Sequence, residues 1–330
     1  MVEYLKVSVV VPAYNGSGTV RECVGSVLAS DYPTDSIEVV VVDDGSRDDT
    51  YAVLRELEAA HKQVRVVKHE RNLGAARARD TGIKQATGDV VCVLSQDTFA
   101  DASWLRRVAD RFGRDPRLGI VQGIVKRTGE IEFPFHHVTE RPAFSWSFPT
   151  VAIAYRAEAL DRAGRYFDPV FSEYGDDTDI AWRIIEAGYG WEFLDVITAY
   201  HGVYRVKNGF VRDIRRSFPA PAIYALLIRR HPGIRQFLYQ GFLWSSPARV
   251  FNTLLFPASV AVAVATSWTY GIGLVAVAIA LGVYRLADRE HVRIPMRYRY
   301  VVLPVHRLLC EVLGFASLVY GTIRYRSLVL

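Results

Sequence analysis

Polar residues follow two apolar runs near the start of the chain, and their types suit nucleotide binding. Pro12 and Tyr14 come after the run Val7 to Val11, and Asp44 comes after the run Ile37 to Val42. In an open α/β sheet, ligands bind beyond the carboxyl ends of the strands, where a carboxylate can accept hydrogen bonds from a base or a ribose. If both runs are strands of one sheet, these residues share an edge and predict a nucleotide site.

A single carboxylate, Asp97, follows a later apolar run, Asp89 to Leu94. A divalent ion, Mn²⁺ or Mg²⁺, bound through one or two carboxylates and a substrate diphosphate would stabilise a departing nucleotide. Alternatively, Asp97 and Asp101 cap the helix expected to begin near Trp104. Spacing alone does not separate these two interpretations.

A dense acidic cluster of Asp176, Asp177 and Asp179 is the candidate for proton transfer. If a helix begins near Asp176, Asp177 lies in its first turn, where the helix dipole favours the ionised form that could take a proton from an acceptor hydroxyl. Alternatively, the acids only cap their own helix N-terminus. His201, which follows a strand-like stretch, could bind a metal or a phosphate.

Alternating strands and helices are expected to position these residues. Apolar residues recur at helical spacing from Val20 to Leu28, so a helix should join the first strand to the second. The alternation continues with a helix at Thr50 to His61, a strand at Val64 to Val67, a helix at Gly74 to Gln85 and a strand at Asp89 to Leu94. This order predicts an α/β domain with a mostly parallel sheet and right-handed crossovers.

The last third of the chain has a different composition. Phe251 to Leu286 is almost without charge. It is too long for one helix across a bilayer core of about 30 Å, and it predicts two short transmembrane helices joined by a turn. A third candidate, Val301 to Ile323, either crosses the bilayer or lies partly buried. Ala222 to Arg249 predicts amphipathic helices at the membrane interface, with a core helix under the first domain as the alternative. The predicted division is a catalytic domain at residues 1–210, interfacial helices at 211–250 and a transmembrane domain at 251–330.

Charge and cysteine content favour an integral membrane protein with a cytoplasmic catalytic domain. The 330 residues are 50% hydrophobic with a net charge of +5, and arginines are concentrated between Arg205 and Arg235. A basic belt beside apolar spans favours anionic lipid headgroups over nucleic acid as the partner. The arginines between Arg285 and Arg299 predict a cytoplasmic loop. The first apolar run is too short for a signal peptide, and the three scattered cysteines predict reduced thiols.

Residues 5 to 205 resemble the family 2 glycosyltransferases, which have the GT-A fold. The motifs that match in order and spacing are Val11-Pro12-Ala13-Tyr14-Asn15, Asp43-Asp44-Gly45-Ser46, Asn72-Leu73-Gly74 with Ala78-Arg79-Asp80, Gly88-Asp89 to Asp97, and Asp176-Asp177-Thr178-Asp179 with Trp182-Arg183. The fold class that follows from the resemblance is a GT-A nucleotide-diphospho-sugar transferase domain.

The resemblance also assigns roles to residues. It implies that Pro12, Tyr14 and Asp44 hold the donor nucleotide. It implies that Asp97 belongs to the metal motif and also contacts the donor, with Asp177 as the base. His201 would contact the metal or the diphosphate, and Asp176, Asp179 and Trp182 would belong to an acceptor or diphosphate site. The family's usual Asp-X-Asp is Ser95-Gln96-Asp97 here, which leaves one carboxylate, and Asp176 stands where the family often has Glu.

The second half of the chain resembles membrane-bound members, such as the dolichyl-phosphate sugar synthases and cellulose synthases. The Gln-X-X-Arg-Trp motif of processive synthases is not found, and the nearest string is Gln240-Gly241-Phe242-Leu243-Trp244. The resemblance therefore implies inverting, metal-dependent transfer of a single sugar to a polyprenyl- or dolichyl-linked acceptor at the cytoplasmic membrane face. Mannose from GDP-mannose is the favoured donor, as in an archaeal lipid-linked mannosyltransferase, and a monomer is expected.

Other functions are alternatives to this one. A hydrolase that uses two of the carboxylates Asp176, Asp177 and Asp179 would leave the nucleotide site unexplained. A polyprenyl-phosphate hexose synthase would act on the bare lipid phosphate, and a catalytically weak protein would only bind nucleotide sugars. A dinucleotide oxidoreductase is suggested by Gly16-Ser17-Gly18, but Arg21 stands where the phosphate fingerprint needs a third small residue. The oxidoreductase interpretation therefore fails.

Overall fold

The computed structural model describes residues 4–130, 136–137, 139–164, 167–171, 174–205, 209–216, 219–238 and 303–328. It divides into two compact units, one of residues 1–128 with 138–202 and one of residues 129–137 with 203–330. The two predicted membrane spans between Phe251 and Leu286 lie outside the described residues, as do residues 239–250 of the predicted interfacial region. The predicted division at residues 210 and 250 stays a prediction.

The strands of the described residues form two sheets. In chain order they are β1 (Val7–Ala13), β2 (Ile37–Asp43), β3 (Val64–Lys68), β4 (Val90–Leu94), β5 (Thr98–Ala100), β6 (Leu118–Arg127), β7 (His136–His137), β8 (Ala152–Arg156), β9 (Gly190–His201) and β10 (Tyr204–Arg205). Eight of them form one sheet in the first unit, in the order β3-β2-β1-β4-β8-β6-β9-β5. In the second unit, β7 pairs with β10.

The large sheet is mixed. β1 pairs in parallel with β2 and with β4, and β2 pairs in parallel with β3. β8 is antiparallel to both β4 and β6, and β5 is antiparallel to β9. β6 and β9 also pair in parallel. The predicted parallel pairing is thus confirmed for the first four strands and is found again between β6 and β9, whereas β8 and β5 make the sheet mixed. The direction of a strand depends on the connection that leads to it, because parallel neighbours need a crossover. The spacing of apolar residues predicts that a strand forms but not its direction.

Six helices of the described residues belong to the first unit. They are α1 (Val20–Leu28), α2 (Thr50–Ala60), α3 (Ala75–Gln85), α4 (Trp104–Arg114), α5 (Ala157–Arg162) and α6 (Asp176–Glu186). The predicted helices at α1, α2 and α3 are confirmed. Their apolar faces, with that of α4, are buried against the sheet, whose first four strands are rich in valine. Burying apolar stripes of this kind, at about 25 cal/mol per Å², stabilises the sheet that carries the site.

Strand pairing brings distant residues to the carboxyl-terminal edge of the sheet. Ala13 at the end of β1 pairs with Asp43 at the end of β2. On the other side, Thr98 of β5 pairs with His201 at the end of β9. Residues that follow β4 therefore lie beside the end of β9.

The second unit contains α7 (Gly209–Arg216), α8 (Pro219–Arg230), a 3-10 helix (Pro232–Phe237) and α9 (Leu303–Tyr325). α8 packs against α9, where Gly321 allows the close approach because an added Cβ would lie 2.7 Å from the Ala222 carbonyl oxygen. α9 covers most of the third predicted span. Among the described residues, no helix combines the length and apolar content required to cross a membrane, and α9 is included in that finding.

Candidate active site

A cleft of about 370 Å³ opens at the carboxyl-terminal edge of the first unit's sheet. It lies where β1, β2 and β4 end and α3 begins. The residues that line it are Pro12, Ala13, Tyr14, Asp44, Asn72, Gly74, Ala75, Ala78, Arg79, Ser95, Gln96 and Asp97. The structure thus gathers the four residues predicted to contact the donor, Pro12, Tyr14, Asp44 and Asp97, around one cavity.

The Asp44 carboxylate is nearly surrounded by hydrogen-bond donors. Its Oδ1 accepts the Leu73 N–H at 2.9 Å and lies 2.7 Å from His69 Nδ1. Its Oδ2 accepts the Gly74 N–H at 2.9 Å. Gly74 is the N-cap residue of α3, so the carboxylate stands at a helix N-terminus, where the dipole favours negative charge. Asp44 is only 2% exposed, yet it lines the cleft.

Tyr14 is held through its backbone by the middle residue of the Ser95-Gln96-Asp97 turn. Gln96 Oε1 accepts the Tyr14 N–H at 2.8 Å, and Gln96 Nε2 donates to the Tyr14 carbonyl oxygen at 3.1 Å. The amide therefore pairs the turn after β1 with the turn after β4. Gly16 leaves room for this arrangement, because a Cβ at that position would overlap the Gln96 side-chain amide.

Asp97 and His201 meet at the edge of the sheet. Asp97 Oδ1 lies 3.4 Å from His201 Nε2, and His201 Nδ1 lies 2.6 Å from the Gly202 carbonyl oxygen. A proton on Nδ1 satisfies that carbonyl and leaves the Nε2 lone pair on the side of Asp97. Asp101 was the other residue expected to cap the helix near Trp104. Its carboxylate accepts the Ser103 N–H at 3.0 Å, directly before that helix begins.

This pair fits a divalent ion. Ligand atoms at adjacent corners of an octahedral site lie about 3 Å apart, and an imidazole nitrogen with a carboxylate oxygen suits Mn²⁺. Over the described ranges, no group of three or more His, Cys, Asp or Glu side chains is gathered for a metal. The other coordination positions would therefore fall to the donor diphosphate and water.

Asp176 and Asp177 begin α6, as predicted, and a partly buried arginine from α3 pairs with Asp176. Arg79, which lines the cleft, forms an ion pair with Asp176. Burial, and then the charge of Asp176, raise the pKa of Asp177 to about 7, against the opposing effect of Arg79 and of backbone N–H donors. A carboxylate with a pKa near neutral is suited to take up a proton during catalysis.

The family comparison agrees with this geometry. Residues 8–164 match the model of glycosyl transferase family 2. Residues 8–164 of the chain therefore carry a family 2 glycosyltransferase domain. Glycosyltransferase AglE of Haloferax volcanii is 34% identical over 204 residues, which are 59% of this chain and 66% of that protein. The pre-mycofactocin glycosyltransferase of Mycobacterium tuberculosis is 29% identical over 243 residues, 68% of this chain and 48% of that protein. The chain thus covers less than two thirds of either relative's length.

A solved structure shares the fold of the glycosyltransferase domain. Mannosyltransferase PcManGT of Pyrobaculum calidifontis, in complex with GDP-Man and Mn²⁺, is similar with a TM-score of 0.62 at 21% identity. The similarity covers 95% of this chain and 88% of that one. At this identity, the comparison supports the GT-A-like fold.

Two predicted site residues of the first unit, Asp179 and Trp182, lie deeper. Asp179 is fully buried and pairs with Arg183 at 2.9 Å, one turn along α6. Trp182 is 3% exposed, and its indole N–H donates to the Trp146 carbonyl oxygen at 3.0 Å. In these positions Asp179 stabilises α6 itself, and Trp182 holds α6 to the loop before β8. Their assignment to an acceptor or diphosphate site stays a prediction.

Several residues of the glycosyltransferase domain received no role from the sequence. Arg79 was part of a quoted motif, which is the signal that could have found it. Buried Arg141 donates to the carbonyl oxygens of Gly123 and Pro149 at 2.8 and 3.0 Å, and burial lowers its pKa to about 10. Buried Tyr155 has its pKa raised by burial and then by Asp177, so its phenol stays neutral. No local pattern marks Arg141 or Tyr155, because tertiary packing creates both environments.

Proposed function

We propose that this protein is an inverting, metal-dependent glycosyltransferase that moves a single sugar from a nucleotide diphosphate to a lipid-linked hydroxyl acceptor. One observation carries the proposal. Arg79 lines the cleft and forms an ion pair with Asp176, which directly precedes Asp177, and the pKa of Asp177 is raised to about 7. A base beside a nucleotide-diphosphate cleft is the arrangement that a direct displacement requires.

Inversion follows from a single displacement. The bond between the anomeric carbon and the diphosphate oxygen breaks while a bond to the acceptor oxygen forms on the opposite face, and the acceptor proton passes to Asp177. A divalent ion at Asp97 and His201, when bound, would neutralise the charge that develops on the leaving diphosphate. His201 keeps its Nε2 lone pair directed to that site because Nδ1–H is held by the Gly202 carbonyl oxygen.

The base also bears on the acceptor class. A bare polyprenyl phosphate presents an oxygen that is already anionic near neutral pH and gains little from a base, whereas a hydroxyl must lose a proton. The raised pKa of Asp177 therefore favours a lipid-linked sugar hydroxyl over the bare lipid phosphate. The lipid itself rests on the apolar run Phe251 to Leu286, and an integral membrane enzyme with a cytoplasmic catalytic domain follows from that run.

GDP-mannose is the proposed donor, and the enzyme is proposed to act as a monomer. The donor choice rests on the fold shared with a mannosyltransferase that holds GDP-Man and Mn²⁺. Discrimination between guanine and uracil depends on side chains of the pocket, so both classes of donor belong in the test.

The test is sugar transfer into an organic-extractable lipid fraction. The detergent-purified chain would be supplied with Mn²⁺ or Mg²⁺ and a panel of labelled GDP and UDP sugars, beside Asp97→Ala. Asp195→Ala is the matched control, since Asp195 is an exposed carboxylate on β9 of the same domain. Metal-dependent labelling from one donor, lost in Asp97→Ala and kept in Asp195→Ala, is expected. Nucleotide binding without transfer to any lipid would instead favour a water-soluble acceptor or a binding protein.

A further inference from the structure

His69 links the cleft carboxylate to a helix behind it. The residue follows β3, and its backbone N–H donates to the Asp43 carbonyl oxygen at 2.8 Å. Its Nδ1 lies 2.7 Å from Asp44 Oδ1, and its Nε2 lies 2.9 Å from Thr81 Oγ1 on α3. Both ring nitrogens therefore have fixed partners. The imidazole cannot turn without breaking a hydrogen bond to either side.

The two contacts define the proton positions. The ionised Asp44 carboxylate only accepts, so His69 Nδ1 carries a proton and donates it. In the neutral ring, Nε2 then accepts from the Thr81 hydroxyl. Thr81, His69 and Asp44 thus form a directed chain of hydrogen bonds that ends at the cleft.

The hydrogen bonds to Asp44 determine which of its lone-pair sites remains for a ligand. A carboxylate has about four lone-pair sites, and His69, the Leu73 N–H and the Gly74 N–H occupy three. The backbone donors are set by the turn before α3. That turn packs against Gly45, where φ is +70° and an added Cβ would lie 2.5 Å from the Arg71 backbone. Of the three donors, His69 is the one contributed by a side chain, and it fixes the plane of the carboxylate.

We propose that His69 is a positioning residue for donor recognition: it orients Asp44 so that the remaining acceptor site receives an N–H or O–H group of the donor's nucleoside. The proposal rests on the proposed function, because it requires a nucleotide in the cleft. It assigns His69 to the nucleoside and not to the diphosphate, because Asp44 follows β2 whereas Asp97, which pairs with His201, follows β4 on the opposite side of β1. Loss of His69 should therefore weaken nucleotide binding and leave binding of the phosphates alone unchanged.

Three substitutions separate orientation from simple packing. His69→Leu removes both hydrogen bonds. His69→Asn keeps an N–H close to the position of Nδ1 and loses only the contact to Thr81. Thr81→Val has nearly the shape of threonine and removes only the hydroxyl that holds Nε2. A hydrogen bond to a charged group is strong enough to change an affinity about tenfold or more.

The measurement is calorimetric affinity of the full 330-residue chain for GDP, UDP and inorganic pyrophosphate, each with Mn²⁺. We expect His69→Leu to weaken the preferred nucleotide at least about tenfold and Thr81→Val about threefold, with His69→Asn close to the wild type. Pyrophosphate affinity should stay unchanged in all three. His61→Leu, at a histidine near the end of α2, is the matched control.

Several results would overturn the proposal. Nucleotide affinity of His69→Leu within about twofold of the wild type would do so. So would an equal loss for pyrophosphate, or a loss in His69→Asn as large as in His69→Leu. If His69→Leu does not fold, the contrast between Thr81→Val and the wild type decides the matter. A wild-type chain that binds neither nucleotide would overturn the proposed function as well, whereas transfer that persists with unaltered nucleotide binding in the variants would overturn only the role of His69.

Discussion

Asp44 and Asp177 both lie at a helix N-terminus in the first unit, but their surroundings act on the negative charge in different ways. Asp44 receives two backbone N–H groups and the His69 ring, all between 2.7 and 2.9 Å. Asp177 accepts the Thr178 N–H at 2.8 Å but lies beside the like charge of Asp176, and burial and this charge raise its pKa to about 7.

In the proposed function, this difference separates a donor-binding side at Asp44 from a reacting side at Asp177. Backbone donors on the Asp44 side hold a fixed carboxylate at the ends of parallel strands, which suits a ligand that must be gripped in one orientation. The Asp177 side is built from side-chain charges, with Arg79 between the cleft and Asp176. The competing charges there leave Asp177 with a pKa near neutral pH. Such a pKa suits a group that must gain and lose a proton during turnover. The two sides should therefore respond differently to mutation.

Asp177→Asn should give the largest effect. The amide keeps the shape but cannot take the acceptor proton, so kcat with a hydroxyl acceptor should fall on the order of 10²-fold or more. The donor KM should change little, because the base acts on the acceptor. Steady-state transfer assays measure both constants, with Asp195→Asn as the control. A near-wild-type rate would remove Asp177 as the base and favour an anionic lipid phosphate as acceptor.

The pH dependence of the wild type should follow the same group. Because the ionised form of Asp177 is the active one and its pKa is about 7, kcat/KM should rise with pH and level off above that value. Each pH unit below the pKa should lower the rate about tenfold. The profile should be recorded with saturating Mn²⁺, beside Asp177→Asn. If the residual activity of Asp177→Asn still rises with pH around the same value, another group causes the pH dependence.

The local elements of the fold were predictable, and the sheet as a whole was not. Helical spacing placed α1, α2 and α3 correctly because each buries one apolar stripe on the same sheet. The antiparallel β8 and β5 could not be foreseen, since direction depends on how each connection returns to the sheet.

The site divides in the same way. Asp44 and Asp97 were found because they follow strand runs and match family motifs. His69, Arg141 and Tyr155 were missed because their roles come from partners that are distant in sequence. Charge pairing such as that of Arg79 with Asp176 depends on how α3 and α6 pack, and no spacing rule contains that information.

Asp44→Asn should give an intermediate effect of the opposite kind. The amide nitrogen of Asn would face either the Gly74 N–H or the two donors on Oδ1, so at least one hydrogen bond is lost whichever way the side chain is placed. The donor KM should rise about tenfold, with kcat within about threefold of the wild type. The same assay with varied donor concentration measures this change. A fall in kcat without a change in KM would contradict the division between a binding side and a reacting side.

The smallest expected effect concerns how the binding side is built. Gln96→Ala removes two hydrogen bonds to the Tyr14 backbone and should lower the free energy of unfolding by about 1 kcal/mol, with a donor KM increase of about threefold. Gly16→Ala should have a similar effect by a different route, because the new Cβ displaces the Gln96 amide. The two changes remove the same contacts, so the double variant should be no worse than either single one. Urea unfolding of all four proteins tests this cycle. Additive losses would mean that Gly16→Ala destabilises the protein independently of the Gln96 amide, and that the Tyr14 turn does not depend on this amide.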